Sequence, residues 1–237
     1  MQSLKHVVKN QFLATLPKDV QERLLRQVRS VRLDAKITRS KPGKDAEEIY
    51  FPQNCLISLF RRMPDNTLFE VATVGREGIS SPVFLQPTNI SLTSICLIAG
   101  SAFKIKATVL LNEVKKNRIL ARQVFRSSIG LISQSIVRTS CNQRHSVEER
   151  SAALLLRISD QINTKRFPLT HQKISLMLNV GRPRVTAALG LLQDLKLIDL
   201  RRGAISILDR QRLIEVSCFC YNILKTEDDN LYQTLLD

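Results

Sequence analysis

Apolar residues at Phe12, Leu13, Leu16, Val20, Leu24, Leu25 and Val28 recur in steps of three and four, and Pro17 and Asp19 open the second half of the run. This spacing predicts helix over residues 12–31. From Val31 to about Lys106 the texture changes to short apolar runs cut by turn clusters: Lys41-Pro42-Gly43, Met63-Pro64-Asp65-Asn66, Gly75-Arg76-Glu77-Gly78 and Gln86-Pro87-Thr88-Asn89. Short strands between regular turns predict an antiparallel β-roll or sandwich, with the clearest strands at 49–51, 56–60, 68–74, 94–98 and 102–105. Residues 107–139 contain neither Pro nor a turn cluster, and Gly130 is their only helix-weakening residue, so one long helix is expected. A stripe of Ala121, Phe125, Ser128, Ile132, Ser135 and Ile136, with Ile129 beside it, follows one helical face. Such a stripe can pack on its own domain, but a helix of this length between two domains is better used as a dimer seam. A further helix is expected from Ser146, where Ser-Val-Glu-Glu puts Glu149 at the capping-box position, to about Asn163.

The most informative stretch runs from Thr170 to Arg202. Thr170 is a plausible N-cap for a short helix with apolar Ile174, Met177 and Leu178 on one face. Asn179-Val180-Gly181 supplies a turn, and a second helix over residues 182–192 starts with Pro183 in its first turn, where a missing N–H costs little. In a helix-turn-helix the second helix enters the major groove N-terminus first, which demands donors and small residues in its first turns and an apolar rear face. Arg182, Arg184, Thr186 and Ala187 are the candidate base-contacting residues, and Val185, Leu189 and Leu192 the rear face. Apolar runs at 197–200 and 204–208 flank Arg201-Arg202-Gly203, which reads as a two-stranded wing with a basic tip for phosphate. A helical hairpin alone is common in proteins that never touch DNA; the basic helix start and the basic wing together favour the DNA-binding reading. The expected fold class is α+β: helix and antiparallel β-roll over residues 1–106, dimerisation helix over 107–141, and winged helix-turn-helix with a C-terminal helix over 142–237.

Composition changes this picture little. The net charge of +15 invites a nucleic-acid partner, yet residues 1–141 hold 22 basic against 10 acidic residues and residues 142–237 only 14 against 11. Within 170–212 the count is 8 basic to 3 acidic, so the local charge, and not the bulk, supports the argument. No apolar run approaches the length that spans a bilayer, no signal-peptide core opens the chain, and the cytoplasm is the expected compartment. Five scattered cysteines, Cys55, Cys96, Cys141, Cys218 and Cys220, are expected to be buried thiols. Cys141 and His145 would share a face if helical, which leaves a redox or metal switch at Cys141 as a minor option, whereas Cys218 and Cys220 would point apart on a helix. No paired carboxylates, nucleophile with base or phosphate-cradling loop stands at catalytic spacing, so no enzyme and no cofactor is expected.

At this point the chain resembles the Crp/Fnr family of bacterial regulators. The phrases that carry the resemblance are Ile49-Tyr50-Phe51-Pro52, Glu70-Val71-Ala72-Thr73-Val74-Gly75-Arg76-Glu77-Gly78, Cys141-Asn142-Gln143-Arg144-His145-Ser146-Val147-Glu148-Glu149-Arg150 and Leu169-Thr170-His171. It implies a cyclic-nucleotide-binding-like β-roll, a homodimer, double-stranded DNA as partner and contact with RNA polymerase. Arg182 falls on the family's leading base-contacting arginine, implying a bidentate bond to a guanine. Pro183 and Ala187 fall where the best-known members place a glutamate and a second arginine, so the recognised sequence should differ from the familiar site. Thr170, His171, Gln172, Lys173, Arg201 and Arg202 are assigned to phosphates. Gly78-Ile79 and Ser91-Leu92-Thr93 stand near the family's nucleotide anchors without the anchoring Glu and Arg, and Arg76 and Glu77 are expected to be exposed on a tight turn, so no cyclic AMP response is expected. No cysteine precedes Cys55, which argues against an N-terminal iron–sulfur sensor. The small-molecule effector is left open, and so is a second reading, an effector-binding or adaptor module with a structural helix-turn-helix and a protein partner.

Overall fold

A computed structural model describes residues 8–35, 37–38, 47–80 and 92–232. The turn clusters at 41–43 and 86–89, and Ser91, lie outside the described residues. Helices α1 (Gln11–Ala14) and α2 (Lys18–Leu25) come first. Asn10 caps α1 by accepting from Leu13 N at 3.1 Å, and its amide donates to Pro52 O (3.0 Å) and Gly78 O (2.8 Å), pinning the N-terminal segment to the β-region.

The helical expectation to residue 31 is corrected: α2 ends at Leu25, and β1 (Arg29–Leu33) begins a sheet. Val31 and Leu33 pack against Cys55, Cys96 and Ala102, a period of two that the helical spacing upstream masked. The β-roll then comprises β2 (Ile37–Thr38), β3 (Glu48–Pro52), β4 (Leu56–Arg62), β5 (Leu68–Val74), β6 (Leu92–Ile98) and β7 (Gly100–Lys106). Two antiparallel sheets result, in the orders β1-β7-β3 and β2-β6-β4-β5. Leu56 to Phe60 are all buried, which a one-sided sheet would not require. Ile57 and Leu59 cluster with Ala72 and Val74 of β5 and with Leu131 of a later helix, while Leu56 and Phe60 join a cluster with Ile158, Met177 and Leu178 of the C-terminal half.

The single helix expected over 107–139 is two: α3 (Ala107–Lys116) and α4 (Arg118–Arg144). The break is at Asn117, which adopts φ −135° and ψ 111° and whose side chain accepts from Leu120 N at 2.9 Å. An asparagine that caps the following helix breaks the run as a proline would, without its sequence signature. After α4 come α5 (Val147–Ile162), β8 (Arg166–Phe167), α6 (His171–Leu178), α7 (Arg182–Asp194), β9 (Ile198–Arg201), β10 (Ala204–Ile207), α8 (Arg210–Glu215) and α9 (Cys220–Asn230). Ser146 and Glu149 form the expected capping box at the start of α5. The third sheet has the order β8-β10-β9, adding to the wing a short strand that the sequence reading lacked.

The β-roll is joined to the helices by the second motif phrase. Glu70 accepts from Arg138 of α4 and from Ser58, and Thr73 N donates to Gln134 Oε1 of α4 at 3.0 Å. Arg76 N donates to Gln161 O of α5 at 2.8 Å. Gly75 makes this approach possible, because a Cβ there would sit 2.5 Å from the Cβ and carbonyl oxygen of Gln161. Against expectation Glu77 is only 7% exposed: its Oε1 accepts from Gly75 N and Gln161 Nε2, and burial pushes its carboxyl up to about 7. Close packing of α5 against the turn is what buries it.

Candidate nucleic-acid interface

The first helix of the motif, α6, is capped as the sequence implies, with Thr170 Oγ1 accepting from Lys173 N at 3.3 Å. It ends at Asn179, which takes the left-handed conformation (φ 53°, ψ 47°) that asparagine tolerates. Val180 N then donates to Ser175 O, and Ser175 Oγ to Val180 O, fixing the turn. Helix α7 starts after Gly181 with Pro183 in its first turn. Val185, Ala188, Leu189 and Leu192 are buried against α5, α6 and the wing sheet, so the rear face is the predicted one with Ala188 added.

That packing leaves Arg182, Arg184, Thr186 and Ala187 exposed on the outer side of α7. His171 Nδ1 lies 3.0 Å from Thr186 Oγ1, tying the two helices of the motif together, a pairing the sequence did not announce. A shallow cleft brings Thr170, His171, Gln172, Arg182 and Arg201 together between the starts of α6 and α7 and the wing. At the wing, Arg201 pairs with Ala204, so the turn consists of Arg202 and Gly203 alone. Gly203 takes φ +74°, which a side chain would strain, and exposed Arg202 is thereby set at the tip. Arg201 Nε is engaged by Asp199 Oδ2 at 2.8 Å, a bond that raises the arginine's pKa and orients its guanidinium. Lys173 stands apart from the rest of the phosphate set: its ammonium donates to Leu97 O of the β-roll. Arg150 of α5 is buried and donates to Leu178 O and Asn142 Oδ1, holding the end of α6 to the α4–α5 corner.

On α4 the buried face carries Leu120, Gln123, Val124, Ser127, Leu131 and Gln134. The opposite face exposes Phe125 (65%), Ile129 (46%), Ile132 (51%) and Ile136 (62%), at spacings of four, three and four. Of the other residues in the predicted stripe, Ala121, Ser128 and Ser135 lie half-buried along its margin, and Ser135 Oγ is 3.1 Å from Val71 O of β5.

The cysteines divide into two groups. Cys55 and Cys96 are buried in the roll with Ala102, and burial pushes their thiols up to about 12 and about 11. Cys141, Cys218 and Cys220 instead bring their sulfurs within 4.8 Å of one another. The expectation that Cys218 and Cys220 diverge is therefore corrected: Cys218 precedes α9 and does not follow its helical rotation. Cys141 Sγ lies 3.5 Å from Cys218 Sγ, and the shared hydrogen bond lowers the Cys218 pKa and raises that of Cys141.

Residues 149–216 match the Crp-like helix-turn-helix domain family. None of the curated protein sequences matches the chain. Among solved structures the chain is similar to FixK2 from Bradyrhizobium japonicum, with 16% identity over 81% of this chain and 98% of that one and a TM-score of 0.65. It is also similar to TTHB099, a CRP family transcriptional regulator from Thermus thermophilus, with 16% identity over 79% and 96% of the two chains and a TM-score of 0.64. For TTHA1359, a CRP/FNR family regulator from the same organism, the values are 17%, 80%, 98% and 0.60. No helix among the described residues is long and apolar enough to cross a membrane. Residues 149–216 thus form a Crp-like helix-turn-helix domain, seated within a fold that the whole chain shares with these regulators.

Proposed function

We propose that two copies pair along α4 through Phe125, Ile129, Ile132 and Ile136 and present their α7 helices to successive major grooves of an approximately palindromic operator. The observation that carries this reading is the division of α7, which buries four apolar residues and leaves Arg182, Arg184, Thr186 and Ala187 exposed beside the cleft and the wing tip. The d-a-d-a spacing of the exposed α4 residues is that of a coiled-coil seam, and apolar surface of this extent on one helix face asks for a cover. Two half-sites about one helical turn apart would match such a dimer.

In this reading Arg182 takes a guanine and Arg184 and Thr186 read its neighbours, while Ala187 offers only methyl contact. Thr170, His171, Gln172, Arg201 and Arg202 position the phosphates, and Lys173 does so only where α6 has left Leu97. Cyclic AMP is not the proposed effector: Glu77, the acidic residue nearest the expected ribose-binding position, is spent on Gly75 and Gln161. Selection of DNA sites from a random pool at moderate salt tests the proposal. Enrichment of a two-fold symmetric site is expected. Failure to enrich one, with no salt-dependent affinity for DNA and binding to an acidic protein partner instead, would favour the adaptor reading.

A further inference from the structure

We propose that Cys141, Cys218 and Cys220 form a binding site for a thiophilic divalent cation of the zinc type, with His145 as the candidate fourth ligand. The three sulfurs come from separate segments: Cys141 from the end of α4, Cys218 from the turn before α9, and Cys220 from the first residue of α9. Tetrahedral zinc with bonds of about 2.3 Å to sulfur sets its thiolates about 3.8 Å apart. Cys141 Sγ and Cys218 Sγ are 3.5 Å apart and all three sulfurs lie within 4.8 Å of one another, so the donors stand near that spacing before any ion draws them in.

A second observation points the same way. His145 follows Cys141 by one helical turn, and its side chain is only 9% exposed. Its Nε2 is buried without a hydrogen-bond partner, while Nδ1 is 3.9 Å from Glu149 Oε2. A metal-ligating imidazole uses one nitrogen for the ion and offers the other to a carboxylate, and that is the division available here. Phe219 packs edge-on against the ring at 4.6 Å between centroids and limits where it can turn. The three cysteines also line a cavity of about 100 Å³ together with Arg138, Arg150 and Arg157. Three thiolates exceed the charge of a divalent ion by one; Arg138 and Arg157 are paired with Glu70 and Asp228, so the compensation falls to Arg150, which donates to the neutral oxygens of Asn142 and Leu178.

The site would add a metal-held link between parts of the chain that otherwise meet through packing and hydrogen bonds. Cys141 belongs to the helix with the exposed apolar seam, Cys218 and Cys220 to the segment after the wing, and Arg150 extends from the same cavity to the end of α6. A bound ion would fix the helix-turn-helix relative to the seam. Loss of the ion would release it.

The direct test titrates fully reduced, metal-free protein with Co²⁺, followed by displacement with Zn²⁺. One equivalent per chain should develop the intense thiolate-to-cobalt charge-transfer band, and zinc should abolish it. Cys218→Ser should weaken binding by more than the roughly 10–100-fold that loss of an outer-shell partner costs. His145→Gln should keep the charge-transfer band but alter the d–d spectrum, and Cys96→Ser should bind as the parent does. Should the serine variants misfold, alkylation of the parent chain gives an independent reading: zinc should protect Cys141, Cys218 and Cys220, as located by peptide mass. The proposal is overturned by absence of the band and of protection in reduced protein, by a band that survives Cys141→Ser/Cys218→Ser, or by a Cys141–Cys218 disulfide in place of stoichiometric metal. None of these readouts requires DNA, so they stand or fall apart from the operator proposal.

Discussion

Replacing Glu77 by Gln should remove a pH dependence that the fold imposes on itself. Burial raises the Glu77 carboxyl from 4.5 to about 7 in the folded chain, with the negative charge of Asp228 adding to the rise and Arg157 opposing it. Tyr232 is the other titratable group that senses this charge, and Gly75 N and Gln161 Nε2 are the donors facing it. The folded state therefore holds a proton that the unfolded chain has already released between pH 4.5 and about 7, so stability falls as pH rises through that window. At about 1.4 kcal/mol per pH unit, the full loss is roughly 3 kcal/mol, complete above pH 7 and absent below pH 4.5. Asp228, also raised by burial although it pairs with Arg157 at 2.8 Å, adds a loss of the same sign that begins lower. Glutamine retains an oxygen for both donors but leaves a buried amide group unpaired, at a constant cost of about 1–3 kcal/mol. Urea unfolding at fixed protein and salt concentration, from pH 4.5 to 8, should show the parent losing roughly 3 kcal/mol more than the variant. A gap between parent and variant that stays constant across the range would refute the assignment.

Several other substitutions probe the remaining arguments. Arg182→Ala should relax preference at one base pair of each half-site at a cost of about 1–3 kcal/mol per contact, whereas Arg202→Ala should weaken all sequences alike; competition binding on single-base variants separates the two. Ile132→Glu should convert a dimer into monomer in sedimentation velocity while leaving the melting temperature of the monomeric unit close to that of the parent, and a variant that still sediments as a dimer would exclude α4 as the seam. Gly75→Ala should destabilise by about 1–3 kcal/mol through the clash with Gln161, read as a lower urea midpoint at unchanged slope. Leu189→Ala, at a fully buried position behind the recognition helix, should cost about 2–5 kcal/mol in the same assay and lower DNA affinity only as folded protein is lost.

The helix-turn-helix was legible because every signal it needs is local. Thr170 caps, Asn179 accepts a left-handed turn, Pro183 starts a helix, and Gly203 turns the wing. Other features depend on contacts distant in sequence. The helix-to-strand change before Arg29 is decided by pairing with β7, some seventy residues on, and the break at Asn117 by a side-chain cap that composition does not mark. Glu77 looked exposed because it stands in a glycine-bounded turn, yet Gly75 admits the backbone of α5. The thiol cluster was hidden by a helical-wheel argument applied across a helix start. The phrases that carried the family resemblance, Glu70 to Gly78 and Cys141 to Arg150, are mostly the couplings between roll, α4 and α5 and not the residues that face DNA.

The cluster that joins Leu56, Phe60, Ile95 and Leu97 of the β-roll to Ile158, Ile174 and Met177 also bears on how the chain can be taken apart. One hydrophobic mass belongs to both halves, and Lys173 fastens its edge to Leu97. A fragment starting near residue 142 would carry the entire helix-turn-helix and wing and still leave an oily flank uncovered. Such a fragment is expected to be sticky and poorly expressed, and the intact chain to melt in one calorimetric transition instead of two. Modularity in this chain belongs to its sequence, where the segments can be told apart by eye, and not to its thermodynamics.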